Sequence, residues 1–277
     1  MKPDVSLSEI AAFLADRYTR IENIHQLVEG EESLAYSAIV DGHDAVVRLN
    51  RTRDGFEKDA HVASNWPAVR APRVLRIEPI SDVWLCISDR VPGSTLQSLG
   101  AQASAYGREI VGLLDTMAAI DTSHIAGYGP YEASGRGLFP SWQEFIMSVD
   151  GPEDLVGFVR DHQYGDHRAL VHGDFGSNNV LAENGRVTGV IDWSEAMVGD
   201  SLYDIANLFF WRPWLACMEA QCRYMELHAA DRLQGREEFL RYQVRIGLQV
   251  AAEARADGDT KMETWALDRS RVVFAGA

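Results

Sequence analysis

The chain has 277 residues, of which 46% are hydrophobic and 24% charged, and its formal charge is −15. That is enough apolar material for a sizeable core in one two-lobed unit or two small domains. The acidic balance argues against nucleic acid as a partner, because phosphates select basic faces, and it is compatible with a cationic small molecule.

Residues Met1 to Glu9 carry no basic-then-apolar signal pattern, and no apolar run approaches the roughly 18 residues a membrane span requires. We therefore expect a cytoplasmic protein, without a membrane partner and monomeric. Cys86, Cys217 and Cys222 form no CxxC pair, so buried free thiols are expected instead of a metal site or a disulfide.

Ser6 and Glu9 form a capping box ahead of Ile10, Phe13 and Leu14, which predicts a short amphipathic helix over 7–18. The period then changes from helix to strand. Ile24 to Val28, Leu34 to Val40 and Ala45 to Leu49 read as strands, the last two joined by an Asp41-Gly42 turn. A helix follows at about Phe56 to Trp66. Arg73 to Ile77 and Val83 to Ser88 complete a five-stranded sheet, and Asp89-Arg90-Val91-Pro92-Gly93 breaks the pattern. We place a boundary there, with a β-rich lobe over 1–89 and a larger lobe over 90–277.

Beyond Gly93 helical periods dominate, at about 102–120, 141–149, 152–163, 202–229, 236–256 and 260–274. Gly127-Tyr128-Gly129-Pro130 and Gly135-Arg136-Gly137 read as turns, and no internal repeat or low-complexity tract is visible. This is an α+β chain with a small β-rich lobe, a hinge and a larger helical lobe, and the cleft between such lobes is the expected ligand site.

The chemistry-bearing stretch lies inside the larger lobe. Leu170-Val171 and Val180-Leu181 bracket a loop, His172-Gly173-Asp174-Phe175-Gly176-Ser177-Asn178-Asn179, and an Asn184-Gly185 turn returns the chain through Arg186–Ile191 to Asp192. Asp174 and Asn179 reproduce the D-x-x-x-x-N step of a kinase catalytic loop, in which the Asp orients the attacking hydroxyl and the Asn holds magnesium. Asp192 then supplies a second metal carboxylate. Hard oxygen ligands of this kind suit Mg²⁺, which takes the rest of its shell from water and nucleotide phosphates. The bland alternative, a hairpin whose Asp and Asn bond their own backbone, fits any one of these residues better than it fits the three together.

His172-Gly173-Asp174 with Asn179 and Ile191-Asp192 resembles the aminoglycoside phosphotransferase family, which has a protein-kinase-like fold. The longer runs from Leu170 to Asn179, Val190 to Met197 and Phe209 to Glu219 resemble its hygromycin B branch in particular, with weaker similarity over about 7–250. The resemblance implies ATP and Mg²⁺ as cofactors and an aminoglycoside as the acceptor. Other small-alcohol kinases of the fold, acting on choline or a sugar, share the same three residues and form the alternative. A non-catalytic nucleotide-binding protein is the second.

The family pattern places the nucleotide contacts. Glu29-Gly30-Glu31-Glu32-Ser33 occupies the position of the phosphate loop, with Ser33 and its N–H neighbours as contacts, although a plain hairpin loop fits equally well. The third strand needs a phosphate-holding cation. The only lysines are Lys2, Lys58 and Lys261, so Arg48 stands where a lysine is commoner. Asp59, or failing that Glu57, offers its acidic partner, and a solvated charged face is the plainer alternative. The hinge would present the Asp89 carbonyl and the Val91 N–H to adenine.

His172 could act as a base but fits a structural role on loop backbone better. Asp200 looks like the family residue that fixes the catalytic loop, or is an ordinary helix N-cap, or both. The hygromycin-like reading puts Asp121, Glu195, Trp211 and Trp214 around the acceptor. Against it, Trp211 and Trp214 lie three apart and also suit the buried face of a helix.

Overall fold

The structure is a computed structural model that describes residues 3–27, 34–233 and 237–277. Its backbone forms two compact units, Met1–Gly93 with Thr188–Ser194, and Ser94–Val187 with Glu195–Ala277. The sequence boundary at 89/90 thus shifts to Gly93, and a short return segment joins the first unit. Hydrogen bonds explain that addition: Thr188 Oγ1 donates to the Pro92 carbonyl at 2.5 Å, Val190 N–H to Arg70 O at 3.2 Å and Trp193 N–H to Asp59 Oδ1 at 2.8 Å.

The first unit runs α1 (Leu7–Ala15), β1 (Ile21–Gln26), β2 (Leu34–Val40), β3 (His43–Asn50), α2 (Asp54–Asn65), β4 (Val74–Ile80) and β5 (Val83–Asp89). The capping box at Ser6 and Glu9 is present, and α1 stops at Ala15, not 18. The antiparallel sheet has the order β1-β2-β3-β5-β4. β1 starts three residues before its expected position, because a bulge between Glu22 and His25, with Asn23 at φ +54°, lets the chain pair earlier with β2. Asp41 and Gly42, at φ +50° and +85°, make the tight hairpin that the Asp-Gly pair predicted.

Alternation decides which face of this sheet is core. Ala45, Val47 and Leu49 of β3 and Leu85 and Ile87 of β5 are buried with Ile10 and Leu14 of α1. Each such aliphatic contributes about 1.5–3 kcal/mol on leaving water. The same period turns Arg48 and its cross-strand partner Cys86 to the opposite face.

The second unit contains β6 (Ser94–Thr95), α3 (Leu96–Leu99), α4 (Gly107–Ala118), β7 (Tyr128–Glu132), β8 (Arg136–Phe139), α5 (Trp142–Met147), α6 (Glu153–Arg160), β9 (Ala169–Val171), β10 (Val180–Glu183), β11 (Arg186–Val190, whose last residues enter the first unit), β12 (Met197–Gly199), α7 (Leu202–Trp211), α8 (Ala216–His228), α9 (Glu238–Asp257) and α10 (Thr260–Ala275). Two small sheets have the orders β8-β7-β12-β9 and β11-β10-β6.

Three expectations change here. The glycine-rich stretches near 127 and 135 are not loose turns but the hairpin β7–β8; at Gly137 a side chain would meet the Tyr128 backbone nitrogen at 2.6 Å, so glycine there serves close strand approach. The helix expected over 102–120 begins only at Gly107, after a 3₁₀ stretch from Gly100 to Tyr106. The helix expected over 202–229 is two helices, interrupted at Arg212–Leu215, because Pro213 lacks the N–H that would continue the helical hydrogen-bond ladder, although Arg212 before it keeps helical angles.

An aromatic cluster forms the heart of this unit. Trp142 and Tyr242 are fully buried, and the Trp142 indole donates to the Tyr242 hydroxyl at 2.9 Å. That hydroxyl donates in turn to Asp200 at 3.2 Å. No described helix is long and apolar enough to cross a membrane.

Candidate active site

In the first unit the site is built on β3, α2 and the turn 192–194. Arg48 pairs with the Asp59 carboxylate of α2, with side-chain exposures of 17% and 5%. This is the partner expected, chosen over Glu57, which bonds Arg53 instead. Burial works against the Arg48 charge, but the carboxylates of Asp59 and Asp192 more than offset it and hold the guanidinium firmly protonated. One arm of its fork goes to Asp59.

Asp192 is exposed, sits at φ +60°, and accepts the Ser194 hydroxyl on Oδ1 at 2.9 Å. Left-handed backbone at a residue with a side chain is strained and persists only where surroundings fix it. They do so here: Trp193 N–H bonds Asp59, and Lys58 donates to the Ser194 carbonyl at 2.5 Å. Lys58 is thus tied to this turn. At the hinge, Asp89 N–H bonds Arg73 O and Arg90 N–H bonds Asp44 O, whereas the Val91 N–H has no backbone acceptor among the described residues. Ser33 lies outside the described residues.

In the second unit β9 delivers His172 and Asp174. The His172 and Gly173 N–H groups donate to the two oxygens of the Asp204 carboxylate at 2.8 and 2.9 Å. His172 is fully buried, and its Nδ1 accepts the Asp174 N–H at 3.2 Å, so it serves loop backbone as expected. Gly173, at φ +88°, lies so close to Glu195 that a Cβ would fall 2.5 Å from its carbonyl oxygen; no other residue fits between His172 and Asp174. Downstream, Asn207 donates to the Phe175 carbonyl at 3.4 Å, and Gln97 N–H and Ser177 O bond at 3.1 Å.

On this anchored loop Asp174 and Asn178 reach solvent and Asn179 is half-buried. Asp174 is exposed, and Asn179 Nδ2 donates to its Oδ2 at 2.8 Å and its carbonyl at 3.0 Å. With its amide nitrogen so committed, Asn179 turns its carbonyl oxygen to other partners. That oxygen and, in the first unit, the exposed Asp192 carboxylate are each a hard donor of the kind Mg²⁺ takes. Among the described residues no group of three or more His, Cys, Asp and Glu is placed to hold a metal ion.

One assignment needs correction. Loop fixing, a helix N-cap role or both were expected of Asp200; the His172 and Gly173 amides go to Asp204, while Asp200, one residue before the N-cap Ser201 of α7, accepts the Leu202 N–H at 3.0 Å and the Tyr242 hydroxyl. The sequence does hold a signal for Asp204. It is a lone carboxylate in a helix whose residues Leu202 to Phe210 are all buried, and such a charge needs strong donors. Asp121 was expected at the acceptor. It is exposed, bonds Ser123 N–H at 2.9 Å and feels the charge of Arg168, to whose carbonyl Thr122 donates. Arg168 directly precedes β9, so Asp121 is anchored near the start of that strand.

Glu195 is exposed beside Gly173. Trp211 and Trp214 meet a third indole not foreseen from sequence: Trp265 of α10 stacks on Trp211 at 5.1 Å and meets Trp214 edge-on at 4.8 Å. Trp214 stays 40% exposed, which removes it from the buried-face reading.

The sequence profile of the phosphotransferase enzyme family, APH, matches residues 23–242. The chain belongs to this family. It is 38% identical to hygromycin-B 4-O-kinase of Escherichia coli over 302 aligned positions, which cover 100% of this chain and 88% of that protein. Identity to viomycin phosphotransferase of Streptomyces vinaceus is 30% over 142 residues, 44% of this chain and 48% of that protein. The crystal structure of aminoglycoside phosphotransferase APH(4)-Ia matches with a TM-score of 0.90 at 38% identity, over 98% of this chain and 100% of that one. A thermostable mutant of the same enzyme, in a ternary complex with AMP-PNP and hygromycin B, matches at 0.89 and 38% identity, over 97% and 99%. The α+β, protein-kinase-like fold expected from sequence is therefore the fold of this phosphotransferase, and the chain is a homologue of hygromycin-B 4-O-kinase.

Proposed function

We propose that this phosphotransferase moves the γ-phosphoryl group of ATP to a hydroxyl of an aminoglycoside, and that hygromycin B is the acceptor. The observation that carries the reading is the Asn179 to Asp174 hydrogen bond on a loop whose backbone is tied down at Asp204. It presents one exposed carboxylate in a set direction, which a hydroxyl nucleophile requires.

In this mechanism Asp174 accepts or orients the proton of the acceptor hydroxyl. Because phosphoryl transfer passes through a loose transition state, positioning counts as much as basicity. Arg48 holds the nucleotide phosphates, and the hinge offers the Asp89 carbonyl and the Val91 N–H to adenine. Asn179 and Asp192 would hold Mg²⁺, which when bound neutralises charge on the phosphates. Glu195 takes an ammonium group of the acceptor, and Trp214 with Trp211 packs against its sugar face. Asp121, exposed beside the start of β9, is a further carboxylate for an ammonium group of the acceptor. A reaction that consumes ATP suits the cytoplasm.

Incubation with ATP, Mg²⁺ and, separately, hygromycin B, choline and a neutral sugar, followed by mass spectrometry of the acceptors, tests the reading. A mass gain of one phosphoryl group on hygromycin B alone is expected. Transfer to choline or the sugar, with hygromycin B inert, would leave the chemistry standing and overturn the acceptor.

A further inference from the structure

The turn that carries Asp192 is held from one side of one helix. Gly55, Lys58 and Asp59 stand at positions i, i+3 and i+4 of α2 and so share a face. All three meet residues 193–194. A Cβ built on Gly55 would lie 3.1 Å from Ser194 Cβ, Lys58 Nζ donates to Ser194 O at 2.5 Å, and Asp59 Oδ1 accepts Trp193 N–H at 2.8 Å. The Ser194 hydroxyl then closes back onto Asp192 Oδ1 at 2.9 Å.

Lys58 is buried, with 9% of its surface exposed. Removing an ammonium from water is costly, and a strongly hydrated point charge is a poor choice for filling space. Its position is explained by what it holds. Asp192 lies in the left-handed region at φ +60°, a conformation that relaxes once the bonds around it are cut.

We infer that Lys58 is a positioning residue for the metal site: by clamping the Ser194 carbonyl it keeps the 192–194 turn, and with it the Asp192 carboxylate, aimed at Mg²⁺. Lys58 touches neither nucleotide nor acceptor in this role. The inference rests on the proposed part of Asp192 in metal binding, so Asp192→Asn serves as its control.

The readout is nucleotide binding without turnover. The affinity for AMP-PNP is measured calorimetrically with Mg²⁺ and with EDTA, and the ratio of the two is compared among variants. Lys58→Met is expected to lower that ratio roughly 10-fold while leaving the EDTA value within about 2-fold of wild type, the loss appropriate to one charge-assisted hydrogen bond. Lys58→Gln retains a shorter, neutral donor and is expected to lose about 3-fold, which keeps the test available should the Met variant fail to fold. Equal weakening with and without Mg²⁺ would overturn the inference and make Lys58 a phosphate contact. An unchanged ratio with a lowered Tm would overturn it in favour of helix packing alone. If Asp192→Asn also leaves the ratio unchanged, the metal role of Asp192 itself is wrong; a ratio lost in Asp192→Asn but kept in Lys58→Met isolates the failure to Lys58.

Discussion

The Asp204 carboxylate receives the backbone N–H of His172 at 2.8 Å, and its second oxygen receives that of Gly173 at 2.9 Å. A buried acidic side chain on α7 thereby sets the path of the loop that carries Asp174. Asn in its place keeps the size but presents an amide N–H₂ to one of the two donors, leaving that amide unpaired at a cost of ~1–3 kcal/mol. Asp204→Asn should lower Tm by several degrees and kcat by about 10-fold or more, while AMP-PNP affinity stays near wild type. An unchanged kcat in steady-state assays would show that the loop holds its geometry without this anchor.

The same carboxyl has a pH signature. Burial pushes it up to about 7, against the downward pull of the two amides. Between its unfolded value near 4 and about 7 the folded state holds a proton that the unfolded chain has lost, so stability falls as pH rises through this window. The slope is at most one proton, about 1.4 kcal/mol per pH unit. Denaturant unfolding at pH 5 and pH 7 should show wild type losing more stability over that interval than Asp204→Asn, which has no carboxyl to titrate. Parallel changes in both proteins would remove Asp204 as the titrating group.

Asp174→Asn should abolish transfer yet leave nucleotide binding intact, because in the proposed mechanism the carboxylate serves the acceptor hydroxyl. Positioned acid–base groups are typically worth ~10²–10⁴ in rate. Retention of more than about a tenth of wild-type kcat in a coupled ATPase-type assay with hygromycin B would sink the assignment.

Arg48→Ala should raise the KM for ATP far more than that for the acceptor. It should also cost stability, because Asp59 stays buried without its ion-pair partner, a loss of ~3–5 kcal/mol in comparable cases. The two effects separate in the double variant Arg48→Ala/Asp59→Asn, which is expected to regain much of the Tm but not the ATP affinity. Unaltered ATP kinetics in Arg48→Ala would assign the phosphates to another cation.

Trp214→Ala should raise the KM for hygromycin B by roughly 3- to 10-fold, in line with ~0.5–2 kcal/mol for a ring against a cation or sugar face. With 40% of its surface exposed the residue contributes little to the core, so Tm should move by less than about 2 °C. Raising the salt concentration should raise the acceptor KM as well, since exposed charge pairs are screened within about 10 Å at 0.1 M. A KM indifferent to both changes would place the acceptor elsewhere.

Local chemistry made much of this protein legible in its sequence. The Ser6–Glu9 box, the Asp41-Gly42 turn and the period-2 pattern of β3 depend on neighbouring residues alone, and that same alternation already separated Arg48 from the core residues Val47 and Leu49. The spacing from Asp174 to Asn179 marked the catalytic loop because both residues lie on one short segment. What needed tertiary structure was every partner distant along the chain. Asp204 meets His172 across 32 residues and Lys58 meets Ser194 across 136; the apolar run around Asp204 marks a carboxylate in need of donors but not which donors, and no local pattern distinguishes Lys58 from an ordinary helix charge. Trp265 joins Trp211 only because α10 packs near the end of α7. For Asp121 the sequence supplied chemistry that suits a cationic acceptor, and only packing supplied its anchorage, through the bonds of its neighbour Thr122 with Arg168. Short-range sterics and periodicity are written residue by residue, whereas the burial that makes a carboxylate an anchor or an ammonium a clamp exists only once the elements have packed.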